Sequence, residues 1–92
     1  MNVTVKAFAE FRELLGKESS VSIRDRESVG GLLEALGSTH PAFRLKIRQN
    51  DGSLKAAIII LLNGRNIHSL RGLESALTEG DVVAIFSPIA GG

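Results

Sequence analysis

The chain has 92 residues, of which 43% are hydrophobic and 23% charged, proportions typical of one globular domain rather than a disordered segment. It contains no cysteine, which excludes a disulfide scaffold, a thiolate nucleophile and a cysteine-ligated metal within it. With a net charge of +1 and neither tryptophan nor tyrosine, we expect no nucleic-acid partner and no membrane partner. The missing cysteines and the lack of a secretory-signal layout at the N-terminus predict a cytoplasmic protein.

The first quarter of the chain predicts two strands and a short helix. Residues 2–8 alternate between apolar and other side chains, the pattern of a strand with one buried face. Residues 9–15 are helix formers followed by Gly16, which predicts a helix of about two turns. Residues 20–24 alternate again and predict a second strand. The side chains expected to point inward are Val3, Val5, Ala7, Val21 and Ile23.

The middle of the chain predicts two helical segments. Ser28 is a suitable N-cap, and the apolar spacing after it fits one buried helix face. Gly30 and Gly31 fall in the first turn, so either the helix begins late or its glycines allow close packing. Gly37 is expected to end this helix, and a second helical segment is expected over residues 41–47. The positions expected to be buried are Val29, Leu32, Leu33, Leu36, Phe43 and Ile47.

The C-terminal half predicts the rest of a sheet. Residues 57–62 are apolar throughout, as in a strand buried on both faces or covered by a partner, and Asn63-Gly64 is a preferred hairpin turn into residues 65–67. Residues 82–86 predict the last strand, which Pro88 ends. The order of elements favours an α+β fold with a mixed sheet wrapped around a helix layer on one face. This is the layout of a β-grasp domain, here a single domain over residues 1–92.

Helices can cover only one face of such a sheet, which leaves apolar side chains on the other. Phe86 lies on the uncovered face of the last strand, and Phe8 and Leu61 fall in equivalent positions on neighbouring strands. We expect the three to form a partner-binding apolar patch beside the C-terminal segment. For Phe8 and Leu61, burial under loops is an equal alternative.

The last residues carry the most specific chemical signal. We expect residues 87–92 to form a flexible tail in which Gly91 and Gly92, lacking side chains, can enter a narrow channel in another protein. A carboxylate at Gly92 is a poor acyl donor, but it can attack the α-phosphorus of ATP to give an acyl-adenylate. The chain lacks a phosphate-binding loop. We therefore expect it to bind no cofactor and to depend on an ATP-using partner.

Three motifs resemble the MoaD/ThiS sulfur-carrier family, and MoaD more closely. They are residues 8–16 (FAEFRELLG), residues 62–65 (LNGR) and residues 77–92 (LTEGDVVAIFSPIAGG). The resemblance implies a ubiquitin-like β-grasp protein whose Gly92 is adenylated by an E1-like enzyme and converted to a thiocarboxylate. As the small subunit of molybdopterin synthase, it would donate that sulfur to a precursor on the large subunit. The residues expected to contact these partners are Phe8, Leu61, Phe86, Pro88, Ile89 and Ala90.

Two other functions remain open at this point. The same activated Gly92 could acylate lysines, as in ubiquitin-like protein modifiers, or the domain could act as an interaction module without activation. In each case the chain is not catalytic alone. Its two histidines, His40 and His68, lack the spacing of metal ligands, so no metal site is expected. Ser87, where MoaD proteins often carry a second proline, and the long stretch 40–53 depart from the family pattern.

Overall fold

Five strands and three helices arise from the alternating and helical apolar patterns. A computed structural model describes residues 1–87. The main elements are β1 (Asn2–Ala7), α1 (Glu10–Leu15), β2 (Glu18–Ser22), α2 (Val29–Thr39), α3 (Pro41–Ile47), β3 (Ile59–Leu62), β4 (Arg65–Asn66) and β5 (Val82–Phe86). Two short 3-10 turns, Ile67–Ser69 and Gly72–Glu74, connect β4 to β5.

The strands form one mixed sheet in the order β2-β1-β5-β3-β4. The central pair, β1 and β5, is parallel and the other pairs are antiparallel. Asn63 and Gly64 form the turn between β3 and β4 with positive φ angles of 50° and 84°, as a two-residue hairpin requires. The predicted α+β sheet of β-grasp type is confirmed.

The core lies between the helices and the inner face of the sheet. Val5, Val83 and Ile85 on the central strands are at most 1% exposed. Beneath α1 and α3, the rings of Phe11 and Phe43 pack edge to face with centroids 5.9 Å apart. The positions predicted as buried on α2 and α3 are all buried: Val29, Leu32, Leu33, Leu36, Phe43 and Ile47. Burial of each large apolar side chain contributes about 1.5–3 kcal/mol.

The glycines of α2 permit close approach. The helix begins at Val29, capped by Ser28, whose hydroxyl accepts a hydrogen bond from the Gly31 N–H at 3.1 Å. A Cβ at Gly30 would lie 3.1 Å from the carbonyl oxygen of Leu73. The prediction that Gly37 ends the helix is wrong, because α2 continues to Thr39. Gly37 is buried, and a Cβ there would lie 3.2 Å from the Cβ of Arg44 on α3. It therefore serves helix packing.

Residues 40–53, which depart from the family pattern, form α3, as predicted over residues 41–47, and the turn after it. Ile47 of α3 packs in the core, and Arg48 closes the segment by donating hydrogen bonds to Glu34 on α2 and to the carbonyl oxygen of Gly52. Gly52 lies in the turn, with φ at +88°. This stretch therefore completes the helix layer.

Candidate functional site

The face of the sheet opposite the helices carries an apolar strip, which we call the outer patch. On β3 and β5, Ile59 pairs with Phe86 and Leu61 pairs with Ala84. Buried residues alternate with half-buried ones along both strands, because the half-buried ones face away from the helices. The members of the outer patch are Phe8, Ile59, Leu61, Val82, Ala84 and Phe86.

Two aromatic rings form the end of the outer patch nearest the C-terminal segment. Phe8 and Phe86 pack edge to face with ring centroids 6.0 Å apart and planes at 83°. Phe8 is 41% exposed, and together with Ala9, Phe86 and Ser87 it lines a shallow depression of about 350 Å³. A partly exposed aromatic pair of this kind is typical of a contact that a partner completes.

The backbone at Ala9 explains why Phe8 projects to solvent. Ala9 has φ 51° and ψ −128°, close to the first central position of a type II′ turn, where glycine dominates. The turn closes with a hydrogen bond from the Phe11 N–H to the Phe8 carbonyl at 3.1 Å. It separates Phe8, which faces out, from Phe11, which is fully buried. The chain thus holds a strained residue directly beside the aromatic pair.

A polar network fixes the start of β5 against the β3–β4 hairpin. The Asp81 carboxylate accepts hydrogen bonds from the Asn63 amide at 3.0 Å and from the Thr78 N–H at 2.8 Å. The Val82 N–H in turn donates to the Asn63 side-chain oxygen at 2.9 Å. Partial burial raises the pKa of Asp81, but the hydrogen bonds from Asn63 and Thr78 outweigh it and hold this pKa below its ordinary value.

Polar residues border the outer patch on its β1 side. Lys6 lies opposite Ala84 in the β1–β5 register, and its ammonium group is 3.9 Å from the Glu18 carboxylate. Thr4 lies opposite Val82. An apolar centre with a polar rim is the usual arrangement of a protein-binding surface.

Comparison with known proteins identifies the family. The ThiS family matches residues 5–92. The chain belongs to the ThiS family. Small archaeal modifier protein 3 from Haloferax volcanii is 34% identical over 93 residues, with 100% of both chains covered. The crystal structure of SAMP1 from the same organism matches with a TM-score of 0.87 and 32% identity, again over 100% of both chains. The molybdopterin synthase sulfur carrier subunit of Escherichia coli is 30% identical over 90 residues, covering 98% of this chain and 99% of the subunit.

These relatives of the ThiS-family chain are described as modifiers and as a sulfur carrier. The resemblance to MoaD/ThiS carriers is therefore confirmed at the level of a ubiquitin-like family of sulfur carriers and modifiers. The modifier is 34% identical to this chain and the carrier subunit 30%. The narrower role, as the small subunit of molybdopterin synthase, stays a prediction.

The structure brings together two of the predicted site residues and places a third on the same face. Phe8 contacts Phe86, while Leu61 lies on β3, opposite Ala84 of β5 and diagonal to Phe86. Burial of Phe8 under a loop, the alternative from the sequence, is not observed. Sequence reasoning missed Ile59, although it lies two residues before Leu61 and therefore on the same face of β3. Five predicted positions lie outside the described residues: Pro88, Ile89, Ala90, Gly91 and Gly92.

Residues 1–87 show neither a metal site nor a membrane-spanning helix. Within that range, no group of three or more histidine, aspartate or glutamate side chains is arranged to hold a metal ion. Over the same residues, no helix is long and apolar enough to cross a bilayer. Of the predicted tail 87–92, only Ser87 is described, half-buried directly after β5.

Proposed function

We propose that this chain acts through the carboxylate of Gly92, which an E1-like partner enzyme activates with ATP. The observation that carries the proposal is the alignment with a small archaeal modifier over 100% of both chains. The ThiS-family match runs through residue 92, which supports the C-terminal end of the chain as the reactive one. The chain is the substrate in this step, and the partner supplies the catalytic groups. We also propose a cytoplasmic location, because activation consumes ATP.

The chemistry requires an adenylyl transfer followed by an acyl transfer. A carboxylate oxygen of Gly92 attacks the α-phosphorus of ATP, and pyrophosphate leaves, which gives an acyl-adenylate. A nucleophile then attacks the Gly92 carbonyl carbon and displaces AMP. A lysine amine gives an isopeptide bond after losing a proton, whereas hydrosulfide (HS⁻) gives a thiocarboxylic acid, which ionises to the thiocarboxylate. The glycine at position 91 leaves the carbonyl carbon accessible, because no side chain stands beside it.

The outer patch is the surface we propose for the activating enzyme. Phe86 lies two residues before Pro88, so a protein that holds Gly92 in its active site also meets the Phe8–Phe86 pair. Phe8 is already 41% exposed, and covering its ring removes apolar area from water. Pro88, Ile89 and Ala90 would continue the contact into the active site. This placement agrees with the aromatic enrichment of binding surfaces.

Protein modification is the first candidate outcome. The identity of 34% to a modifier and the TM-score of 0.87 to SAMP1 favour it. In this case the acyl group of Gly92 ends on lysines of other proteins. The second candidate is sulfur donation as the small subunit of molybdopterin synthase, favoured by the alignment with the Escherichia coli subunit over 98% of this chain. Both outcomes share the activation step.

The experiment that tests activation uses purified chain, ATP and the E1-like enzyme encoded in the same genome. We expect ATP-dependent pyrophosphate exchange, followed by an intact-mass change at Gly92 from oxygen to sulfur when a sulfur donor is added. A chain lacking Gly91 and Gly92 should support neither. Leu45→Ser is a matched surface control, because Leu45 is 77% exposed on α3 in the helix layer. Exchange that persists without the two glycines would refute the proposal.

Two further assays separate the outcomes. An antibody against the folded domain should detect higher-mass conjugates in cell extract, and their loss on deletion of Gly92 supports the modifier. A tag at Met1 is unsuitable, because its amine donates a hydrogen bond to the Ile23 carbonyl at 2.7 Å and forms an ion pair with Asp25 at 3.3 Å. Pterin formation with thiocarboxylated chain and the large subunit supports the carrier. Folded protein inactive in both assays would favour the interaction module.

A further inference from the structure

Strand β2 leaves half of its backbone groups unpaired at the edge of the sheet. The Ile23 N–H donates to the Met1 carbonyl at 2.8 Å, and the Ala7 N–H donates to the Lys17 carbonyl at 3.1 Å. In an antiparallel pair such groups alternate, so odd-numbered residues of β2 face β1. The backbone groups of Glu18, Ser20 and Ser22 therefore point away from the sheet.

A groove runs beside this edge, between β2 and α2. One depression of about 390 Å³ is lined by both elements and extends from Leu15 to His40. A second, of about 480 Å³, shares Ser22 and Ala35 with the first and continues to Arg24. The apolar side chains along the groove are Leu15, Val21, Ile23, Ala35 and Leu36.

The edge lacks the protection that proteins usually give to such strands. Over its five residues, β2 contains no proline and only one charged side chain, Glu18. Natural edge strands are commonly blocked by charges, prolines, bulges or covering loops. The opposite edge, β4, is only two residues long. Among the described strands, β2 therefore offers the longer free edge.

We propose that β2 and the adjoining groove bind an extended segment of a partner protein as an added antiparallel strand. The N–H and C=O groups of Glu18, Ser20 and Ser22 pair with the segment, as in other cases of strand addition. Its apolar side chains, at alternate positions, enter the groove beside Val21 and Ile23. Its polar side chains lie on the other face with those of the three pairing residues.

The charges at the ends of the groove favour acidic flanks on that segment. Lys17 precedes β2 at one end and forms no ion pair among residues 1–87. Arg24 lines the other end, and its side chain is 86% exposed despite its contact with Glu27 at 3.0 Å. An exposed pair of this kind is weak, so Arg24 can also receive a carboxylate from a partner.

A second copy of this chain fits the edge less well. It would contribute mainly its own five-residue β2, whereas stable interfaces use roughly 20–30 residues a side. A flexible segment can pair with β2 and fill the groove at the same time. The groove also lies on the helix side of the sheet and two strands from β5, about 10 Å away. The groove and the outer patch can therefore bind partners at the same time, whether Gly92 serves protein modification or sulfur donation.

The test uses a synthetic nonapeptide, acetyl-DDVTVTVDD-amide, titrated into the ¹⁵N-labelled full chain. We expect downfield shifts and slowed exchange for the N–H groups of Glu18, Ser20 and Ser22. In the antiparallel arrangement the threonine amides face β2, so N-methylation of the threonines should abolish binding while N-methylation of the valines leaves it. Loss on valine methylation instead would refute the antiparallel arrangement, because in a parallel strand the valine amides would face β2. Equal binding of both methylated peptides would overturn the proposal.

Two variants test the site on the protein. Ser20→Pro removes an outward N–H without breaking a bond to β1, as edge prolines do, and Ala35→Arg fills the groove from an exposed position on α2. Each should weaken peptide binding at least tenfold, and Ala35→Arg keeps a good helix former if the proline variant misfolds. Ser38→Arg, on α2 outside the groove lining, should bind normally. The proposal would be refuted if Ala35→Arg bound the peptide as wild type does, or if 2 mM peptide caused no chemical-shift changes. Chemical-shift changes confined to the outer patch, or dimers joined through β2, would also refute it.

Discussion

Replacing Ala9 with glycine should stabilise the protein, although the substitution removes a side-chain carbon. At φ 51° and ψ −128°, an L-residue with a Cβ is strained, and glycine is not. Ala9 is exposed, so the lost methyl group contributes little packing. The expected gain therefore comes almost entirely from the backbone.

The magnitude follows from two opposing effects. A residue in a sparsely populated backbone region costs about 1–3 kcal/mol, and Ala9→Gly relieves that cost. Glycine also makes the unfolded chain more flexible, which lowers the free energy of unfolding by about 0.4–1 kcal/mol. We expect a net gain of about 1 kcal/mol. For a domain of this size that corresponds to a rise in Tm of roughly 4–8 °C.

Urea unfolding followed by circular dichroism measures this difference. Ala35→Gly is the matched control, because Ala35 is also exposed but lies inside α2. There the same change should lower the free energy of unfolding by about 1 kcal/mol. Opposite signs at the two positions support the strain at Ala9. A decrease of similar size in both variants would refute it.

Three other predictions concern the patch, the hairpin and the start of β5. Phe8→Ser should raise the KM of the E1-like enzyme for this chain about tenfold in pyrophosphate-exchange assays, as for the loss of an aromatic contact. Leu45→Ser should behave as wild type in the same assays. Equal effects of the two substitutions would show that the outer patch does not bind the enzyme. Gly64→Ala places a Cβ at φ +84° and should lower the free energy of unfolding in urea by about 1–2 kcal/mol; no change would argue against the positive-φ turn. Because the pKa of Asp81 in the folded state lies below its ordinary value of 3.8, its stabilising effect is full above that pH and is lost as the pH falls through the lowered pKa. Asp81→Asn should therefore flatten the acid limb of the stability curve, measured by urea midpoints from pH 2 to 6; an unchanged limb would contradict this.

Much of the fold could be predicted because local patterns and long-range packing agree. Alternation in β1 identified Val5 as a core residue, and Asn63-Gly64 predicted the hairpin turn between β3 and β4. The end of α2 could not be predicted from local signals, because Gly37 is typical of a helix terminus. Its actual role depends on Arg44, a residue of another helix, which the local pattern does not include.

The site was predicted unevenly for the same reason. Period-two alternation placed Phe86 on the uncovered face, but three consecutive isoleucines hid the alternation of β3, so Ile59 was overlooked. The positive φ of Ala9 has no sequence signal, since alanine normally indicates a helix. The groove beside β2 also escaped sequence reasoning, because it forms only where an edge strand and α2 meet in three dimensions.

The parallel pairing of β1 with β5 has a consequence for biogenesis. Thr4 is opposite Val82 in that register, so the middle of the sheet joins the two most distant parts of the described sequence. A nascent chain on the ribosome cannot complete its sheet until β5 has emerged, and contacts so far apart slow the search for the native state. Truncated translation products that lack β5 cannot form the central parallel pair, so only chains synthesised through β5 complete the sheet.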